Sequence, residues 1–323
     1  MKCWVVGASG LLGKSVVKHC RQAGWDTMTT TVPWGDSIGS RASLRAGVDE
    51  LIRLADGDRW SIAWCAGAGV VGTGQDVLDA EQVTFAQFLE DLGARAQGAA
   101  AQRGALFVSS SAGGVYAGSS GTPFTESTAP QPLAPYGVAK LKAEERTAEF
   151  AGRTGIPTLI GRISNLFGPG QNLRKPQGLV SQVGRAYLTR QPISMYVSLD
   201  TMRDYLFVDD CAQMIVAGLT RLHASDRDES ARSGAAGCTT KILAAGRSTT
   251  IAALFGEYRR IFKRRPPVVL GSSPNSRFQV RDLRLRSMVW TELDDFARTP
   301  LAVGISATVE DVSRQMQRAE LFV

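Results

Sequence analysis

Residues 3–13 read CWVVGASGLLG. A short apolar run, Cys3 to Val6, meets Gly7, Gly10 and Gly13, and a stretch from Leu11 to Ala23 follows, closed by Gly24. An apolar run bounded by glycine predicts a strand, and a stretch closed by glycine predicts a helix. Working outward, "DTMTTTV" (26–32) is rich in threonine and reads as a second strand. A helix near Val48–Ala55 leads to "SIAWCAG" (61–67), and a helical stretch from about Ala80 to Ala101 leads to "ALFVSSS" (105–111). A further helix ends at Arg153, where Gly155 and Pro157 stop it, and "PTLIGRI" (157–163) resumes as strand. Strands alternating with helices at this spacing imply an α/β fold, a doubly wound parallel sheet with helices on both faces.

The later chain is more mixed. "GLVSQVGRAYLTR" (178–190) and "DDCAQMIVAGLTRL" (209–222) read as helices, and "PISMYV" (192–197) and "RDYLFV" (203–208) as short strands. "HASDRDESARSGAAG" (223–237) reads as a surface loop. The expected division is a first domain over 1–165 and a smaller α/β lobe over 166–323, with 198–222 returning to the first domain. The 323 residues are 44% hydrophobic, ample for a buried core. No apolar run approaches a membrane span, so no membrane insertion is expected. The five cysteines are scattered without a CxxC, and two histidines supply no zinc cluster, so no metal is expected and a reducing cytoplasm fits best. The net charge of +7 fits a nucleic acid or an anionic small substrate. Its basic stretches, 258–267 and 277–286, carry no aromatic RNA-binding pattern, which disfavours nucleic acid as a partner.

Glycines between a first strand and a first helix let the backbone approach a pyrophosphate, and the helix N-terminus offers unpaired N–H groups. Gly7, Gly10 and Gly13 therefore point to a dinucleotide, with Ser9, Leu11 and Leu12 on the same turn, Thr30 and Thr31 after the second strand, and Ala66 and Gly67 after the third. An acid at the end of the second strand would grip a ribose 2′-hydroxyl, yet none occurs until Asp36. Arg41 or Arg45 offers a charge for a 2′-phosphate. NAD and NADP both stay open, with a lean to NADP.

Residues 134–140 read APYGVAK. Residues four apart share a helix face, so Lys140 lies beside Tyr136, and an ammonium next to a phenol favours the phenolate. Upstream, "VSSSAGGVY" (108–116) puts hydroxyls at a strand end, where active sites of open α/β sheets lie. With these pieces in order, the chain resembles the extended short-chain dehydrogenase/reductase family, in its nucleotide-sugar epimerase/dehydratase branch. "GASGLLG", "SSSAGGVYAG", "PYGVAK", "GRISNLFGPG" (161–170) and "MRDYLFVDDCA" (202–212) are each similar to a motif of that family.

The resemblance implies a Rossmann-type sheet, with Tyr136 as acid/base and Lys140 as its partner and ribose anchor. It implies substrate contacts at Asn165 and Arg203, with Leu179 and Tyr196 as further candidates. Arg203 has a plainer reading as an ion pair with Asp204. Ser111 is the expected catalytic serine on a one-residue insertion, "AGG", with Ser110 the alternative and a candidate substrate contact. "EQVTFAQFLEDL" (81–92) lacks the family's usual asparagine, with Gln82 near that place. Dehydratases of the family need an Asp-Glu pair after the catalytic hydroxyl, but Ala112, Gly113 and Gly114 follow here. The expected activity is therefore epimerisation of a nucleotide-diphosphate sugar by hydride transfer. A 4-ketoreductase is the alternative, and a non-catalytic dinucleotide-binding or regulatory protein is the rival from another class. The candidate assembly is a homodimer.

Overall fold

The computed structural model describes residues 1–175, 177–224, 237–271 and 280–320. In chain order the first part is β1 (Lys2–Val6), α1 (Leu11–Gln22), β2 (Asp26–Thr29), α2 (Ser37–Ala55), β3 (Trp60–Trp64), α3 (Gln75–Arg95), α4 (Ala99–Gln102), β4 (Gly104–Ser111), α5 (Ala112–Val115), α6 (Pro135–Thr154) and β5 (Thr158–Ile163). The second part is β6 (Asn165–Phe167), α7 (Leu179–Thr189), β7 (Ile193–Met195), β8 (Met202–Phe207), α8 (Val208–Ala224), β9 (Cys238–Leu243), β10 (Ser248–Thr250), α9 (Ile251–Phe262), β11 (Val268–Leu270), β12 (Asp282–Leu283) and α10 (Leu301–Glu320).

The main sheet has six parallel strands in the order β2-β1-β3-β4-β5-β9. Helices cover both faces, which is why β3, WSIAW, is buried at every position. On one face α2, α3 and α6 pack Leu44, Val48, Phe88, Leu92 and Phe150 against Trp4, Ile62 and Leu106. On the other face Val16 of α1 and Cys211, Ile215 and Leu219 of α8 pack against Val5, Phe107 and Leu159. Gly47 lets α2 lie flat on Trp4: a Cβ there would come 2.4 Å from the indole ring.

The doubly wound parallel sheet expected from the alternation is present, with several differences in detail. The β2 ladder stops at Thr29, although Val32 is still buried. Helix α2 begins at Ser37, where Asp36 caps it by accepting from the Ile38 amide at 3.0 Å. Gly98, at φ +54°, separates α3 from the short α4. The sixth strand, β9, comes from the part of the chain assigned to the second lobe. The loop expected over 223–237 lies outside the described residues over 225–236, while His223 and Ala224 finish α8. The cysteines do not stay scattered: Cys3 and Cys20 sit in the core with their sulfurs 3.7 Å apart.

β9 ends the sheet, and a strap of chain fastens over it. Lys241, with no exposed surface, donates from Nζ to Ser287 Oγ (2.8 Å), Val289 O (2.8 Å) and Asp294 Oδ1 (2.7 Å). Glu126 Oε1 accepts the Ile242 amide at 2.9 Å, and its Oε2 accepts the Met288 amide at 2.8 Å. The smaller lobe is built on β8, which pairs with β6, β10 and β12, and on a core of Phe167, Val183, Tyr205, Leu254, Tyr258 and Ile305.

Candidate active site

The glycine turn is shaped by close backbone approach. Gly7 has φ +85°, and a Cβ there would come 2.7 Å from the Ala66 amide nitrogen. A Cβ at Gly13 would come 2.2 Å from the Gly7 carbonyl oxygen, and one at Gly10 3.3 Å from it. Gly10 is the N-cap of α1 and, having no side chain, leaves the first-turn N–H groups uncapped from that side. Ser9 and Gly10 are exposed on the turn, Leu11 is half-buried and Leu12 is buried. This cradle of uncapped N–H groups and missing Cβ atoms fits a pyrophosphate. Thr30 is half-buried and Thr31 exposed just past β2. Arg41, one candidate for a 2′-phosphate, faces Asp91 of α3 at 3.3 Å.

Tyr136 enters on the first turn of α6, where Pro135 presets the helical φ. Its ring is held between two backbone segments. A Cβ at Gly69 would lie 3.2 Å from Tyr136 Cδ2, and one at Gly114 would lie 3.1 Å from Cε1. The second glycine of "AGG" is therefore the space the tyrosine ring occupies. Lys140 Nζ is 5.8 Å from the ring centroid and donates to Ser109 O at 3.4 Å. A Cβ on Gly67 would lie 3.3 Å from the same ammonium, so the segment after β3 and the lysine converge. Ala66, buried, is the residue against which Gly7 folds.

Ser111 ends β4, half-exposed, and its Oγ accepts the Gly114 amide at 3.1 Å. That bond uses an acceptor lone pair and leaves the hydroxyl proton to donate elsewhere. Ser110 is turned the other way, because successive strand residues face opposite sides. It is 6% exposed and donates to Glu144 Oε1. Glu144 receives Arg162 through Nε at 3.0 Å and Nη2 at 2.6 Å, and Arg162 Nη1 reaches the Tyr116 hydroxyl at 2.6 Å. The structure thus commits Ser110 to a buried network behind the site and keeps Ser111 at its rim.

In the second lobe, Arg203 is 7% exposed and donates from Nη1 to Met202 O at 2.8 Å. Burial pulls its guanidinium below the ordinary arginine range, with Tyr205 and Asp282 acting against that shift. The expected alternative, an ion pair with Asp204, is not formed. Strand alternation sends Asp204 to the opposite face, fully buried, where it accepts the amides of Ala245 (2.8 Å) and Arg247 (3.0 Å). Burial raises the Asp204 carboxyl above its usual range despite those bonds. Asn165 Nδ2 donates to Asp204 O at 2.9 Å, next to Arg203 in the chain. Leu179 opens α7 and packs on the lobe core. Tyr196 is 47% exposed, and Gly271 lies close enough that a Cβ there would be 3.3 Å from its ring.

Sequence reasoning missed Glu81. Gln82, singled out instead, faces α6 and accepts from Arg146 at 3.1 Å. Glu81 Oε1 accepts the amides of Ala68 (2.8 Å) and Gly69 (3.1 Å), fixing the segment that clamps Tyr136. The signal lay in the helix face: Glu81 follows Leu78, a buried residue of α3, by three positions.

Residues 78–231, which carry most of α3, the Ser-Tyr-Lys elements and α8, match the NAD dependent epimerase/dehydratase family. The match covers just under half of the chain, which over that segment is similar to the family. Among curated relatives, the uncharacterized UDP-glucose epimerase YtcB of Bacillus subtilis is 31% identical over 117 residues, 36% of each chain. A dTDP-glucose 4,6-dehydratase of Salmonella typhimurium is 32% identical over 92 residues, 28% of this chain and 25% of that one. A dTDP-L-rhamnose 4-epimerase and a dTDP-4-dehydro-6-deoxyglucose reductase match over similar stretches. The matches thus span about a third or less of these relatives' length. Among solved structures, MoeE5 in complex with UDP-glucuronic acid and NAD superposes with a TM-score of 0.77 at 23% identity, over 98% of this chain and 100% of that one. Among the described residues no group of His, Cys, Asp and Glu could hold a metal, and no helix is long and apolar enough to cross a membrane.

Proposed function

We propose that the chain is an NAD(P)-dependent nucleotide-sugar epimerase in which Tyr136, Lys140 and Ser111 carry the proton chemistry. The observation that carries this reading is the clamp on Tyr136 between Gly69 and Gly114, with the Lys140 ammonium 5.8 Å from the ring centroid. Such a phenol is fixed in place without being sealed off, as a general acid/base must be. Tyr136 takes the proton of a substrate hydroxyl in one direction and returns it to the carbonyl oxygen in the other. Ser111, its oxygen already engaged by the Gly114 amide, donates a hydrogen bond to the same substrate oxygen and keeps its own proton. Lys140 sets its ammonium beside the phenol ring and would anchor the ribose. Residues 7–13, 66–67 and 30–31 would hold the dinucleotide, whose nicotinamide ring supplies the hydride acceptor and donor.

In this reading the main-sheet domain, 1–165 with α8 and β9, carries the dinucleotide, and the lobe built from the rest of 166–323 carries the sugar nucleotide. A buried guanidinium suits a diphosphate by charge and planar geometry, which assigns Arg203 to it, with Asn165 beside it. Leu179 and Tyr196 flank the nucleotide. Dehydration is disfavoured because Ala112 and Gly113 put no carboxylate after Ser111. Ketone reduction remains the second reading, favoured by the dTDP-4-dehydro-6-deoxyglucose reductase among the relatives.

The test is incubation with UDP-, dTDP-, GDP- and CDP-sugars and NAD or NADPH, with products read by mass and NMR. Epimerisation leaves mass unchanged; reduction adds two hydrogens and consumes reduced cofactor. Tyr136→Phe should lower kcat by about 10²–10⁴-fold, the usual worth of general acid–base catalysis. Wild-type turnover in that variant would overturn the assignment.

A further inference from the structure

We infer that Trp34 is the platform on which the adenine ring of the dinucleotide stacks, and that recognition there is indifferent to the 2′ position of the adenosine ribose. This rests on the dinucleotide reading of the Gly7–Gly13 turn. In an open α/β sheet the adenosine half of a dinucleotide lies at the carboxyl end of the strand after the glycine turn. Here that place, just past β2, holds a tryptophan whose surface is 50% exposed. Its indole meets Trp64, the last residue of β3, at a centroid distance of 6.2 Å and an interplanar angle of 84°. Trp64 is in turn packed on Phe88 (4.5 Å) and Phe85 (5.0 Å), so Trp34 is braced on a rigid aromatic stack.

The segment carrying Trp34 is itself held. Its amide donates to Val32 O at 3.0 Å, and Pro33 O accepts both the Asp36 amide and the Ser40 hydroxyl at 2.8 Å. A large apolar ring fixed in place with half its surface in water, in the segment that follows the strand next after the glycine turn, matches the flat π-face of a purine.

Indifference to the 2′ substituent follows from what the charged groups nearby do. The first acid after β2, Asp36, turns its carboxylate to the Ile38 amide as a helix cap. Arg41 is paired with Asp91. Arg45 lies a further turn along α2, away from the strand end. Thr30 and Thr31 remain at the strand end, and a hydroxyl donates to a ribose oxygen or to a phosphate alike.

The test is direct binding by calorimetry, with far-UV circular dichroism to confirm folding. Wild type should bind NADH and NADPH with affinities within about fivefold of one another. Trp34→Ala should weaken both by about 5- to 150-fold, the worth of one base–aromatic stack, and Trp34→Phe should keep most of the affinity. Nicotinamide mononucleotide, which lacks adenine, should bind wild type and Trp34→Ala equally. Unchanged affinity in Trp34→Ala, or a loss confined to one cofactor, would overturn the stacking role. A wild-type preference above about 30-fold for either cofactor would overturn the indifference. Wild type that binds neither cofactor would overturn the dinucleotide reading and this inference with it.

Discussion

Glu144→Leu is the substitution whose cost the structure lets one work out. Glu144 and Arg162 are 5% and 7% exposed and share hydrogen bonds at 2.6–3.1 Å, with Ser110 as a further donor to the carboxylate. Removing the carboxylate leaves a guanidinium buried against the Tyr116 hydroxyl at 2.6 Å and takes away the acceptor that Ser110 uses. Breaking a buried pair by removing one partner costs about 3–5 kcal/mol, because the remaining charge is uncompensated. Over 323 residues, at about 2 cal/mol/K of unfolding entropy each, that is a fall in Tm of roughly 5–8 °C. Replacing both partners with apolar residues of similar volume removes the stranded charge, so Glu144→Leu with Arg162→Met should be more stable than Glu144→Leu alone by about 2 kcal/mol or more. Urea unfolding followed by tryptophan fluorescence, on the wild type, both single variants and the double variant, measures the coupling. A single variant within about 1 kcal/mol of wild type, or a double variant no better than the single, would refute the account of a desolvated, mutually dependent pair.

Ser111→Ala should lower kcat by about 10²–10³-fold, as for loss of one donor to a developing oxyanion, with no compensation from Ser110; steady-state kinetics on the identified substrate reads this. Glu81→Ala should lower kcat/KM by about tenfold by freeing the Ala68 and Gly69 amides, and Glu81→Gln should restore most of it because an amide oxygen accepts the same two N–H groups. His223, whose Nε2 is 2.9 Å from Ser61 Oγ, is held down to about 4, by burial first and by Arg59 and the N-terminal charge second. Its contribution to stability is therefore full above pH 6.5 and is lost as pH falls from 6.5 toward 4, in total roughly 3 kcal/mol. Denaturation curves across that range should be flatter for His223→Gln than for wild type.

The order of strands and helices in the main sheet was legible because each carries its own local period and its own glycine stop. The Tyr136–Lys140 pair was legible for the same reason, being a spacing within one helix. What escaped depends on partners far away in the chain. CTTKIL reads poorly as a buried strand because Lys241 sits in its middle, and the groups that satisfy it lie at Ser287, Val289 and Asp294. The start of α2, SIGSRASLRAG, is weak by propensity, with two glycines and three serines, and is held by packing such as Gly47 on Trp4. Ser110 and Ser111 could not be told apart from the motif, since which face of β4 each takes is decided by Glu144 on one side and the Gly114 amide on the other. Glu81 and Gln82 differ by one position on α3, and only the placement of residues 68–69 separates them.

The strap over β9 guards the molecule against its own kind. A terminal strand of a parallel sheet presents a row of amides and carbonyls to any passing chain of extended shape, a template for aggregation. Here the Glu126 carboxylate takes the Ile242 amide, and Lys241 anchors residues 287–294 across the strand. A protease cut that released the chain from residue 280 onward would uncover a strand whose exposed sequence, CTTKIL, is rich in β-formers and carries a single charge. Intactness of the C-terminal segment is thus tied to colloidal behaviour as much as to folding: nicked molecules should self-associate through this edge, which intact ones keep covered.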